Sequence, residues 1–155
     1  MLTLKTVLVP TDFSDASESA LRYGKAMAEA FGASLHVVHV MEDLLAHAWA
    51  AEVYVSSMPQ LRDEIEKESR QRLEMLLGAS DRSKFRAEIA LLAGNPFLEI
   101  IRYAKAHDVD LIVMGTHGRG PIAHMLLGSV AEKVVRKSPC PVLTVREAQH
   151  EFVMP

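Results

Sequence analysis

Short, continuously apolar runs alternate along this chain with longer stretches whose apolar residues fall three and four apart. The first run, Thr6-Val7-Leu8-Val9-Pro10, is closed by proline, and its lack of alternation fits a strand buried on both faces. The period then changes. Ala20, Leu21, Gly24, Met27, Ala28 and Phe31 make one face of a helix that starts in the cluster Ser14, Asp15, Ser17, Glu18 and ends at Gly32. Residues 35–40 read as a second strand and 86–92 as a third, with a helix over 58–77 between them. That helix turns Leu61, Ile65, Leu73, Leu76 and Leu77 inward. The pairs Asp63/Lys67, Glu66/Arg70 and Glu68/Arg72 put acid four residues before base, as on a solvated face. A helix over 96–107, a strand over 111–114, a helix over 129–137 and a strand over 142–145 complete the series. Residues 42–57 follow no clear period and read as a short helix or a flap. Strand and helix alternating throughout predict an α/β fold, a parallel sheet with helices on both faces.

At 155 residues and 49% hydrophobic the chain is the size of one domain, expected over residues 1–147 with a tail over 148–155. A domain of this length buries roughly 70% of its unfolded surface and needs no disulfide or structural metal. Its single cysteine, Cys140, cannot form an internal bridge, which predicts a reducing, cytoplasmic setting. No apolar run approaches the ~20 residues of a membrane helix, so no membrane partner is expected. A net charge of -3 gives no general attraction to nucleic acid or anionic lipid. Any anion must be held locally.

In an open parallel sheet, ligands bind beyond the carboxyl ends of the strands, where strand order reverses. The chain after the fourth strand reads Gly115-Thr116-His117-Gly118-Arg119-Gly120, a glycine-rich turn able to offer backbone N–H groups to an anion, with Arg119 adding charge. Further on, Gly128-Ser129-Val130-Ala131-Glu132 has the S-x-x-E spacing of a capping box, so a helix N-terminus suited to phosphate is expected there, with Gly128 leaving room for the anion. Asp12, just after the first strand, suits either a helix cap or a metal. His36 and His39 lie three apart on a strand and point to opposite faces, so they do not make a metal pair. His107 reads as a helix-dipole partner, and Cys140, between two prolines, as a small buried side chain.

The spacing Gly115-x2-Gly118-x9-Gly128-Ser129 resembles the nucleotide-binding signature of the ATP-binding branch of the universal stress proteins. The runs Val7-Leu8-Val9-Pro10-Thr11-Asp12, Asp110-Leu111-Ile112-Val113-Met114-Gly115 and Ser138-Pro139-Cys140-Pro141-Val142-Leu143 look like that family's other landmarks. The resemblance implies an open, twisted, Rossmann-like sheet of five parallel strands in the order 3-2-1-4-5. It implies adenine near Pro10, Thr11 and Val40, with Met114 packing nearby and Asp12 beside the ribose or a Mg²⁺ that bridges the phosphates. Gly115, Gly118, Gly128, Ser129 and Val130 would hold the phosphates, His117 and Arg119 lie within the motif, and Gly94 would form a wall. The implied ligand is ATP, or ADP or AMP. The implied assembly is a homodimer joined through the last strand, which would otherwise be an open edge. The implied role is regulation of stress tolerance through contacts with a partner protein. A slow Mg²⁺-dependent ATPase and an interaction module with a vestigial site are the alternatives. No Walker lysine motif or aspartate pair for two metals is present to drive fast hydrolysis.

Overall fold

A computed structural model of the chain describes residues 1–42, 58–117 and 127–146. Strand β1 (Thr6–Pro10) runs through the centre of the sheet, and Val7, Leu8 and Val9 are fully buried, which is why the run is apolar without alternating. Helix α1 (Asp15–Phe31) opens at Ser14, whose hydroxyl accepts the Ser17 N–H. It closes at Gly32, which takes the left-handed conformation at φ 63° and returns its N–H to the carbonyls of Ala28 and Glu29. Strand β2 (Ser34–Met41) extends the expected run at both ends.

Helix α2 (Met58–Met75) stops short of the expected residue 77, and a short helix α3 (Ala79–Lys84), absent from the sequence reading, follows it. A segment this short has little helical stability of its own. Burial of Leu77 and Phe85 at its two ends anchors it to the core, and ion pairs to α1 add to this, Lys25 with Asp81 at 2.6 Å and Lys84 with Glu29 at 2.8 Å. Strand β3 (Glu88–Ala93) begins later than residue 86, because Arg86 has a positive φ of 45° and Ala87 donates to the Arg82 carbonyl to close α3. Helix α4 (Pro96–Ala106) carries Pro96 in its first turn, with His107 as its C-cap. Strand β4 (Leu111–Gly115), helix α5 (Ser129–Lys137) and strand β5 (Val142–Val145) complete the described elements.

Among the described residues the five strands form one parallel sheet in the order β3-β2-β1-β4-β5. One face packs α1 and α2 through Ala20, Leu21, Ala28 and Leu73, with Leu77 just after α2; the other packs α4 and α5 through Ile100, Ala104, Ala131 and Val134. Strand order reverses between β1 and β4. Asp110 ties the opposite ends of these strands together by accepting the N–H groups of Lys5 and Thr6 at 2.7 and 3.0 Å. No helix among the described residues is long and apolar enough to cross a membrane. The expected boundary between domain and tail, at residues 147–148, lies outside the described residues.

Three local expectations are corrected. Gly128, not Ser129, is the N-cap of α5, with no side-chain cap, so no capping box forms; Glu132 pairs instead with Arg136 at 2.9 Å. Of the pairs expected along α2, Glu66–Arg70 forms at 3.2 Å, but Arg72 turns inward over the Phe13 ring, 4.3 Å from its centroid, rather than to Glu68. Cys140 is half-buried at the rim of the α4–α5 core rather than fully buried. Burial still raises its thiol pKa, against an opposing hydrogen bond from Ser138.

Candidate functional site

The carboxyl ends of β1, β2 and β4 open into a cavity of about 640 Å³, closed on one side by the start of α5 and on the other by α2. Pro10, Thr11, Asp12, Val40, Met114, Gly115, His117, Gly128, Ser129 and Val130 all line it. Gly94, the residue after β3, is not part of the lining, where Pro96 stands instead. Gly118 and Arg119 lie outside the described residues.

At the β1 end, Thr11 is buried and its groups are spent on shape. Its N–H donates to the Val38 carbonyl at 2.8 Å, carrying the β1–β2 ladder one residue further. Its hydroxyl lies 3.1 Å from that of Ser17 and accepts the Phe13 N–H at 3.0 Å. The Thr11 carbonyl lies 2.7 Å from Nδ1 of His39; a carbonyl only accepts, so Nδ1 carries the proton. Asp12 folds the next turn by accepting the N–H and hydroxyl of Ser14 on Oδ1. The α1 cap is thus Ser14, and Asp12 orients it from the cavity wall.

At the β4 end, Gly115 answers a packing demand. A Cβ there would stand 3.0 Å from the backbone carbon of Ala16, so a side chain at this position would press α1 away from the strand. Thr116 then staples strand to helix: its N–H donates to Val145 at 2.9 Å, and its carbonyl accepts the Gly128 N–H at 2.6 Å. The Thr116 hydroxyl meets Nδ1 of His117 at 3.0 Å. With the Gly128 N–H committed, the anion-binding capacity of α5 passes to the next N–H groups, on Ser129, Val130 and Ala131. All three residues line the cavity at the positive end of the helix, and no side chain among the described residues caps them.

Sequence reasoning missed the opposite wall, formed by Phe13, His39, Ile65, Glu68, Ser69 and Arg72. Phe13 is held at φ 63°, with its ring centroid 4.5 Å from that of His39. The spacing on α2 identified an exposed charged face but carried no information on what that face meets. His36 and His39 do point to opposite faces, His36 to the Tyr103 hydroxyl at 3.0 Å and His39 into this cavity wall. No group of three His, Cys, Asp or Glu able to hold a metal ion is gathered among the described residues.

The sequence model of the universal stress protein family matches residues 3–146. A universal stress protein of Thermus aquaticus is 38% identical over 147 residues, covering 92% of this chain and 98% of its own length. The structure of the universal stress protein UspA from Lactobacillus plantarum superposes with a TM-score of 0.76 at 27% identity, covering 94% of this chain and all of that one. A universal stress protein solved in complex with cAMP matches with a TM-score of 0.60 at 26% identity, over 95% of this chain and 100% of the other. Sequence and fold therefore agree, and this chain belongs to the universal stress protein family.

Proposed function

We propose that this chain binds an adenine nucleotide, ATP foremost, across the carboxyl end of its sheet, and that occupancy alters its contacts with a partner protein. The observation that carries the reading is the uncapped start of α5 opening into the same cavity as the ends of β1, β2 and β4. Phosphates would lie on the N–H groups of Ser129, Val130 and Ala131 with the Ser129 hydroxyl, and adenosine would lie along Pro10, Val40 and Met114. The related protein solved with cAMP supports an adenine ligand. Asp12 lines the cavity and could give one carboxylate oxygen to a Mg²⁺ whose other ligands are phosphate and water. The reading puts the protein in the cytoplasm, consistent with its single thiol, and as a homodimer paired through the open edge of β5.

The test is to denature freshly purified protein, identify any released nucleotide by mass spectrometry, and titrate the emptied protein with ATP, ADP and AMP, with and without Mg²⁺. Bound adenine nucleotide with a defined order of affinities is expected. No released nucleotide and no binding at millimolar ligand would remove the reading.

A further inference from the structure

Arg72 stands apart from the other charges of α2. The cations at Arg70, Lys84 and Arg136 face acids at the surface. Arg72 is half-buried, its guanidinium carbon lies 4.3 Å from the centroid of the Phe13 ring, and no carboxylate pairs with it among the described residues. It is also the one lysine or arginine among the described lining of the cavity, which otherwise carries the acids Asp12, Glu42 and Glu68. A guanidinium held over an aromatic ring loses much of the freedom of an exposed arginine. Its donors then suit a planar or tetrahedral oxyanion, which they can grip with two parallel hydrogen bonds.

The position matters as much as the chemistry. The α5 start belongs to the core on one face of the sheet and α2 to the core on the other, so the cavity has a donor-rich pole at each side with the ends of β1 and β2 between them. On the α2 side it adjoins a second hollow of about 240 Å³, reaching Leu21, Met75 and Leu76, and the two share Phe13 and Arg72. Arg72 is thus reachable from both hollows, the second of which also carries Glu18.

We propose that Arg72, seated on Phe13, is a second anion subsite, and that the ligand it suits is an adenine nucleotide carrying a further phosphate on the 2′ or 3′ position of its sugar. This rests on the adenine-nucleotide reading above. With the 5′-phosphates at α5 and the sugar beside Asp12, a group leaving the far side of the ribose is directed to the residue after Asp12, Phe13, and to the guanidinium upon it.

The experiment is calorimetric titration of the emptied protein with 5′-AMP, adenosine 3′,5′-bisphosphate and adenosine 2′,5′-bisphosphate, each with and without inorganic phosphate. The same series is run on Arg72→Met, which keeps an apolar cover over Phe13, and on Arg72→Lys, with unfolding curves to check the fold. At least one bisphosphate is expected to bind about tenfold more tightly than AMP to the parent, a gain of ~1.4 kcal/mol. Arg72→Met should erase that gain, bringing the bisphosphates to the affinity of AMP, and Arg72→Lys should keep part of it. Competition by inorganic phosphate that leaves AMP binding intact while lowering the bisphosphate gain would place the free ion in the same subsite and support it. A parent that binds AMP but gains nothing from the added phosphate overturns the subsite alone. Equal weakening of AMP and bisphosphates by Arg72→Met also overturns it, since Arg72 would then touch the base or sugar common to all. No binding of any of these ligands overturns both the subsite and the nucleotide reading.

Discussion

At the scale of single residues, glycine and histidine show how one residue type serves different ends. Gly115 lies in the motif that suggested phosphate binding, yet its lack of a side chain is demanded by Ala16 of α1. Gly115→Ala should therefore cost about 1–3 kcal/mol in the nucleotide-free protein, because backbone cannot yield as a side-chain tip does. Urea unfolding of stripped protein measures this, and an unchanged midpoint would return Gly115 to a purely ligand-facing role. His36 is a buried group away from the cavity, beside the Tyr103 hydroxyl, with Glu88 Oε2 at 3.9 Å and the Tyr103 ring stacked on His107 at 3.8 Å. Burial lowers the His36 pKa, outweighing the opposing pull of Glu88, and His107 pushes it the same way as burial. Burial likewise raises Tyr103 to about 12. For His36 the unfolded chain takes up the proton first as pH falls. Its stabilising contribution is then complete above the ordinary histidine range near 6.5 and lost on acidification, at no more than ~1.4 kcal/mol per pH unit. Urea midpoints recorded between about pH 7 and pH 5 should fall, and fall less in His36→Gln. Parallel pH profiles for the two proteins would assign the acid sensitivity elsewhere.

At the scale of elements, start and stop signals were legible where a local rule governs them. Ser14 and Gly32 bound α1 because a hydroxyl cap and a left-handed residue satisfy backbone groups within one turn. Gly32→Ala should accordingly cost about 1 kcal/mol despite open space around its Cβ, since the strain is in φ and not in packing. Thermal unfolding would register it as a shift of a few degrees, and an unshifted curve would mean that the cap relaxes. Elements set by distant contacts were not legible. Helix α3 depends on core burial at its two ends and on acids and bases that meet α1 across more than fifty positions of sequence. The α5 cap fell one residue from its expected place because Gly128 is bound to Thr116, on the strand before it. Arg72 left Glu68 for Phe13, a residue that no helical spacing could have paired with it.

At the scale of the molecule, β5 is an edge of the sheet, and its polarity gives a direct test of assembly. The carbonyls of Pro141 and Val145 accept from Ile112 and Thr116 of the β4 side, so with a period of two the N–H groups of Val142 and Thr144 point to the open edge. Thr144→Pro removes an outward donor and leaves the inner ladder intact. The parent is expected to sediment as a dimer and the variant as a folded monomer; a dimeric variant would move the interface off this edge. The sequence by itself determined the class of fold, the strand order through its resemblance, and most of the cavity's lining at β1 and β4. The class of fold follows from period and turn chemistry, properties of neighbouring residues, whereas the strand order and the lining at β1 and β4 came with the resemblance. Only the tertiary structure decided that Gly94 stands outside the cavity, that the Gly128 N–H is spent, and that α2 forms the opposite wall with Phe13 and Arg72. Those outcomes depend on which faces meet after the chain has closed on itself, and a charged face reads the same in sequence whether it borders water or a ligand.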